Sequence, residues 1–156
     1  MNLKILKKDH NQELTGNILF INASEHIDGN TSQVGKQVFG DRQYRQLNLV
    51  DYKIYQIGQS LVDSQFSDDQ FKVVFAAIKT ADTIVLGTPV YWHMMSGYLK
   101  TLIERISQDT DSNDLKGKKI GVFIQGSNPS AVIGPTNNII KRFAEVAGMK
   151  FIEMRY

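Results

Sequence analysis

Three short segments of this chain hold residue types that can do chemistry. Residues 22–32 (NASEHIDGNTS) offer Ser24, Asn30, Thr31 and Ser32 as hydroxyl and amide donors. Gly29 lets the backbone turn inward. Hydroxyls beside the open N–H groups of a helix start can hold a phosphate without a cation. The same residues also suit an ordinary strand-to-helix turn capped by Asn30 or Thr31. The segment is neither a Walker loop nor a dinucleotide fingerprint, because the required Gly-Lys-Ser/Thr ending and three-glycine spacing are missing. Residues 87–96 (GTPVYWHMMS) place Tyr91, Trp92, Met94 and Met95 in one connection. Flat, polarizable side chains there suit a platform for a flat ligand, or packing against a neighbouring loop or second subunit. Pro89 stiffens the entry. His93 is the one imidazole in this segment, and a lone loop histidine suits only a minor role. Residues 125–135 (QGSNPSAVIGP) are rich in small side chains, and Gly126 allows a close backbone approach. Taken alone, this third segment reads as a plain loop.

What gives the three segments force is the elements that would position them. Residues 17–21 (NILFI) are a short apolar run that suits a buried parallel strand. Residues 31–39 carry Val34 and Val38 one helical turn apart. Residues 44–49 alternate at Leu47 and Leu49, as a strand does, and 51–65 read as a loop. Ser67 and Gln70 have capping-box spacing, Phe66 and Phe71 that of a hydrophobic staple. Phe71, Val74, Phe75 and Ile78 then form a helical stripe, with Asp68 and Asp69 at the positive end of the dipole and Lys79 at the other. Residues 83–87 (TIVLG) and 119–124 are further strands. Leu99, Leu102, Ile103 and Ile106 mark the helix between them. Pro135 suits the first turn of a last helix and Gly148 its end, with Ile139, Phe143, Val146 and Ala147 facing inward. Residues 149–156 suit a final edge strand.

Strands and helices therefore alternate, which predicts an α/β fold with a five-stranded parallel sheet and helices on both faces. Ligands in such folds bind beyond the carboxyl ends of the strands. The three segments follow the first, third and fourth strands, so the fold would gather them. Residues 17–156 form this unit, and 1–16 read as an N-terminal extension.

Composition narrows the class. A chain of 156 residues is one ordinary domain. Hydrophobic residues at 42% and charged residues at 22% fit a soluble globular protein. Apolar runs such as 18–21 and 83–86 are too short to span a bilayer. The first ten residues lack the apolar stretch of a secretory signal, so a cytoplasmic protein is expected. The absence of cysteine excludes disulfides, thiolate zinc sites and cysteine nucleophiles, and no metal site is expected. The net charge is +2, and Lys116, Lys118 and Lys119 flank Gly117 in what reads as a solvated turn. With no basic stripe carrying aromatic partners, a nucleic-acid ligand is not expected.

At these motifs the chain resembles the NADPH-dependent FMN reductase and NAD(P)H dehydrogenase (quinone) families. The resemblance rests on Ser24 with Gly29-Asn30-Thr31, and on the longer match ADTIVLGTPVYWHMMSGYLKTLIERI over residues 81–106. It implies a flavodoxin-like, doubly wound three-layer sandwich. It implies FMN as cofactor, NADPH or NADH as co-substrate, a quinone, flavin or similar small molecule as acceptor, and a homodimer. By resemblance, Ser24, Asn30, Thr31 and Ser32 would hold the FMN phosphate. Pro89, Val90, Tyr91, Trp92, His93 and Met94 would border the isoalloxazine ring, and Gly126 and Ser127 would line the other side of the pocket. The flavin would carry the chemistry, so no side chain is expected to act as acid or base. Three departures stand out. Glu25 and His26 replace the proline and basic residue common in relatives, and Asp28 is tolerable near a phosphate only if it points away. The sequence stops soon after the fifth strand, so the helix that usually covers one sheet face is expected to be missing, leaving that face for a partner subunit. Two alternatives share the fold: a flavodoxin-type electron carrier, against which the pI of about 8.8 speaks, and a flavin-free interaction domain.

Overall fold

The computed structural model describes residues 11–59, 66–111 and 113–156. Its strands are β1 (Ile18–Asn22), β2 (Arg45–Asn48), β3 (Thr83–Tyr91), β4 (Met94–Met95), β5 (Lys119–Gln125) and β6 (Lys150–Ile152). Its α-helices are α1 (Asn30–Phe39), α2 (Phe71–Thr80), α3 (Gly97–Asp109) and α4 (Ser130–Ala147). Five strands pair in parallel in the order β2-β1-β3-β5-β6. This is the flavodoxin-like arrangement, with β1 at the point where strand order reverses.

The strands are apolar throughout because both faces of the sheet are covered. Leu19, Ile21, Ile84, Leu86, Ile120 and Val122 face α2, α3 and α4, whose stripes Phe71-Val74-Phe75-Ile78 and Leu99-Leu102-Ile103-Ile106 complete that layer. Phe20, Val85 and Phe123 face the other way, toward Val38 and Phe39 of α1. Each fully buried ring of this kind is worth about 2–3 kcal/mol. Gly87 makes room for them, since a Cβ there would lie 2.5 Å from Phe123 and 2.7 Å from Phe20.

Several local expectations need correction. Helix α1 starts at Asn30 with Gly29 as its N-cap, so neither Asn30 nor Thr31 caps it. The Ser67–Gln70 capping box does not form. The Gln70 side chain instead accepts from the Lys53 N–H at 2.9 Å, and Asp69 Oδ1 accepts from the Phe71 N–H at 3.0 Å. Phe66 packs edge-on against Tyr55, while Phe71 stacks with Phe75. Residues 60–65, the end of the expected 51–65 loop, lie outside the described residues, as do 1–10. Helix α4 begins at Ser130, placing Pro135 inside it. The proline forfeits only the bond to the carbonyl of Ala131, an exposed residue whose carbonyl water can satisfy. The fully buried stripe of α4 is Val132, Thr136, Ile140 and Ala144; of the expected face, Ile139, Phe143 and Ala147 pack half-buried against the core and Val146 is exposed. Gly148 ends the helix in the left-handed conformation, as expected.

The sheet face that α1 leaves open is not bare. Leu14 and Met154 are buried there, and the Phe123 and Tyr156 rings lie 5.8 Å apart. The two terminal segments are tied together: Asn11 Nδ2 donates to the Arg155 carbonyl at 2.9 Å, and the Arg155 N–H donates to Asn11 Oδ1 at 3.1 Å. Among the described residues no helix follows β6, and the tail takes part of that cover instead.

Candidate functional site

At the carboxyl end of β1, Asn22 is buried without exposure. Its amide nitrogen donates to the carbonyls of His26 (3.1 Å) and Ile27 (3.4 Å) and to Asn48 Oδ1 (3.1 Å). Its Oδ1 accepts from the Ser24 N–H at 3.1 Å. One side chain thus folds the whole 22–27 turn. Ser24 Oγ accepts from the His26 N–H, and Ser32 Oγ donates to the Gly29 carbonyl. Ser24, Thr31 and Ser32 are buried, and Asn30 is exposed. Gly29 has no side chain to cap α1, so the first amides of that helix face outward for an anion. The Asp28 carboxylate is bonded to Gln33 Nε2 and sits 4.0 Å from Lys36 Nζ. Both partners are side chains of α1, and the carboxylate is exposed.

The second segment, read from sequence as a strand-to-helix connection, contains a hairpin. Strand β3 runs on to Tyr91, and β4 turns back on it with Tyr91 opposite Met94 and Val90 opposite Met95. Trp92 (φ 46°) and His93 (φ 61°) form the tip. Two consecutive positive φ values are those of a tight type I′ hairpin, a strained choice for these residue types. Trp92 is 99% exposed. Within this chain its ring therefore packs on nothing, while Pro89 is buried and Val90, Tyr91 and Met94 are half-buried. The buried Thr88 hydroxyl accepts from the Ser96 N–H at 2.9 Å, and Ser96 Oγ caps α3 by accepting from Leu99 N–H, which fixes the base of the hairpin.

The third segment shrinks to residues 126–129 because α4 starts early. Gly126 (φ 147°) lies against β3: a Cβ would come within 3.1 Å of Val90 Cβ and 3.2 Å of Val90 N. Ser127 is exposed beside it.

The three segments are joined pairwise. The Glu25 N–H donates to Tyr91 Oη at 3.1 Å, linking the first to the second. The Thr31 hydroxyl donates to Gln125 Oε1 at 3.3 Å, linking the first to the third. Gly126 against Val90 links the second to the third. The segments that carry the twelve residues named from sequence are thus joined through Thr31, Val90, Tyr91 and Gly126, while Asn30, Trp92, His93 and Ser127 are exposed. Asn22 and Gln125 are organisers that the sequence reading passed over. Their only signal is a polar residue ending an otherwise apolar strand.

Beside these segments, a cleft of about 370 Å³ opens between the 52–56 segment, Tyr91 and the start of α3. Its outer wall is pinned by a buried ion pair. Arg105, 4% exposed, donates to both oxygens of Asp69 at 2.7 and 3.0 Å and to the Tyr55 carbonyl at 2.9 Å. Asp69 Oδ2 also accepts from the Tyr55 N–H. Burial pushes the Asp69 carboxyl up, but Arg105 and the Tyr55 and Phe71 N–H groups outweigh it and hold the carboxyl below its usual value. A larger hollow, about 590 Å³, lies at the amino ends of β1 and β2, the end of the sheet away from these segments.

The strand order, with three segments gathered at the carboxyl ends of β1, β3 and β5, defines a flavodoxin-like protein with a candidate ligand site there. The model of the NADPH-dependent FMN reductase family matches residues 17–154, and the chain belongs to that family of NAD(P)H-dependent flavin oxidoreductases. No curated protein sequence matches the chain significantly. Similar solved structures include the Trp repressor binding protein from Bacillus subtilis, at 23% identity and TM-score 0.69, covering 88% of this chain and 83% of that one. An NADH:FMN oxidoreductase in apo form is 18% identical with TM-score 0.64, covering 89% and 74%. An NADPH-quinone reductase from P. pentosaceus is 17% identical with TM-score 0.59, covering 88% and 82%. At these identities they attest the fold. Among the described residues, no helix is long and apolar enough to cross a membrane.

Proposed function

We infer that the chain binds FMN on these three segments and uses NADPH or NADH to reduce a quinone, a free flavin or a similar small acceptor. The observation that carries this reading is the pairwise joining of the three segments, Glu25 to Tyr91, Thr31 to Gln125 and Gly126 to Val90. Separate plain turns would have no reason to be cross-tied around one space.

The residues fit the group. The uncapped start of α1, with Ser24, Asn30, Thr31 and Ser32 around it, suits the phosphate, and the Asp28 charge is met by Gln33 and Lys36. The β3–β4 hairpin and Gly126 offer backbone and ring surface to a flat group. FMN, when bound, accepts a hydride from the nicotinamide at N5 and passes the electrons on. The chain's own task is to hold and orient it. Val90 to Met94, behind the rigid Pro89, supply a fixed edge whose N–H dipoles can stabilise negative charge on the ring. We include a homodimer in this reading, because the bare Trp92 ring at the hairpin tip is a surface that a second copy can cover. The cytoplasm remains the expected location.

Incubation with FMN, desalting and a visible spectrum tests the reading. Retained flavin with perturbed bands, bleached by NADPH or NADH, is the expected result. A colourless protein with no FMN binding by fluorescence titration would overturn it. Oxidation of NAD(P)H by the purified chain alone separates the enzyme from an electron carrier.

A further inference from the structure

Strand β6 covers only the first part of the strand beside it. It pairs with β5 over residues 119–121, opposite 150–152. Farther along β5, toward the candidate site, no strand lies on its outer edge among the described residues. Backbone groups at such an edge need another partner. Ile124 finds one in a side chain: its N–H donates to Tyr156 Oη at 3.0 Å. Ile124 is 2% exposed, so little water is at hand to replace that acceptor.

The segment that carries Tyr156 is itself tied down. Met154 lies across β5, and a Cβ on Gly121 would come within 2.5 Å of its Sδ. The Arg155 backbone exchanges two hydrogen bonds with the Asn11 side chain. The Asn11 carbonyl accepts in turn from Arg42 Nη2 at 2.9 Å, just past the end of α1. The Tyr156 ring lies 5.8 Å from that of Phe123. Beyond Ile124, Gln125 accepts from Thr31 near the start of α1, and Gly126 lies against Val90. The contacts therefore run from one end of α1, through Asn11, Arg155, Tyr156 and β5, back to its other end.

We propose that Tyr156 is a positioning residue for the candidate site. Its hydroxyl fixes the outer edge of β5 one residue before Gln125. The inner edge is fixed by β3, where Thr88 stands opposite Ile124 and Pro89 opposite Gln125. A strand held at both edges presents Gln125 to Thr31 and Gly126 to Val90 at a set spacing. A preset spacing spares a ligand part of the ordering cost of binding. That this ligand is FMN rests on the reading above; the hold on residues 124–126 does not.

Tyr156→Phe removes the hydroxyl and keeps the ring, at an exposed position where it opens no cavity. Amide hydrogen exchange by NMR is measured on the flavin-free chain, and FMN affinity by fluorescence. The visible spectrum of bound FMN is recorded as well. All three are compared with the parent at a temperature where urea curves show both proteins folded. In the variant, amides of residues 124–126 should exchange faster by about tenfold or more, with those of β1 unchanged. FMN should bind more weakly by about threefold or more. Its bands should also move, which a loss of stability alone does not cause in a folded protein. Parent-like exchange at residues 124–126 overturns the proposal. Faster exchange with FMN affinity and spectrum unchanged overturns it too, because Tyr156 is then a plain edge contact. If the parent binds no FMN, the flavin reading fails, and the exchange rates still decide whether Tyr156 holds the third segment.

Discussion

At Asn22 a side-chain amide stands fully buried at the end of an apolar strand, and its hydrogen bonds run to the turn it shapes and to Asn48 of β2. Replacing it with an isosteric apolar group leaves the Ser24 N–H and the His26 carbonyl without that partner. Each such loss costs about 1–3 kcal/mol when the group stays dry. Asn22→Leu should therefore lower stability by about 2–4 kcal/mol and weaken FMN at least as much as loss of any one hydroxyl in the turn. Urea unfolding read beside an FMN fluorescence titration checks both. Unchanged flavin affinity in a destabilised variant would show that the turn's shape does not matter to the ligand. The hydroxyl residues of this turn were legible because their chemistry is local and their spacing visible. Asn22 was not, because its partner Asn48 comes from the next strand, a register that only the folded sheet creates.

The same limit shows in whole elements. The stripes of α2 and α3 were readable from their period, since burial of one face decides them. The start of α2 was not. Ser67 and Gln70 have the right spacing for a box, yet Gln70 turns to Lys53, and Asp69, held by Arg105 across 36 residues of sequence, accepts from the first N–H of the helix. The β3–β4 hairpin was equally hidden, because type I′ turns are signalled by Asn-Gly and here carry Trp92-His93. The Asp69–Arg105 pair makes a prediction at this scale. Its carboxyl is held below the usual aspartate value of about 3.9. The unfolded chain therefore takes up the proton first as pH falls. The pair's stabilisation is full above about pH 5 and is lost as pH drops through the lower, folded value. Asp69→Asn leaves an almost buried guanidinium without its counter-charge, a loss of about 3 kcal/mol at neutral pH. The variant should also lose less stability than the parent between about pH 5 and pH 3. Urea midpoints measured across that range give the answer, and parallel pH profiles would mean the pair contributes nothing through its charge.

On the scale of the molecule, the parallel sheet and its alternating order were legible because buried strands must be apolar and parallel strands must be joined by crossovers. The cover of the second face was not. Sequence reasoning left that face for a partner subunit, and Leu14, Met154 and Tyr156 take part of its cover, clasped by Asn11 and Arg155. The rim at the other end of the strands has a related property. Its segments follow β1, β3 and β5, the three central strands, and each is bonded or packed to the other two. A ligand bridging them is lost only when the central sheet opens, so its binding energy should appear in global stability. FMN at a hundred times its Kd should then add about 2.7 kcal/mol, which in a chain of this length raises Tm by roughly 5–11 °C. Riboflavin has the same ring and no phosphate, so it should raise Tm far less at equal concentration. Equal shifts for the two flavins would remove the α1 turn from the site, and no shift with either would remove the flavin.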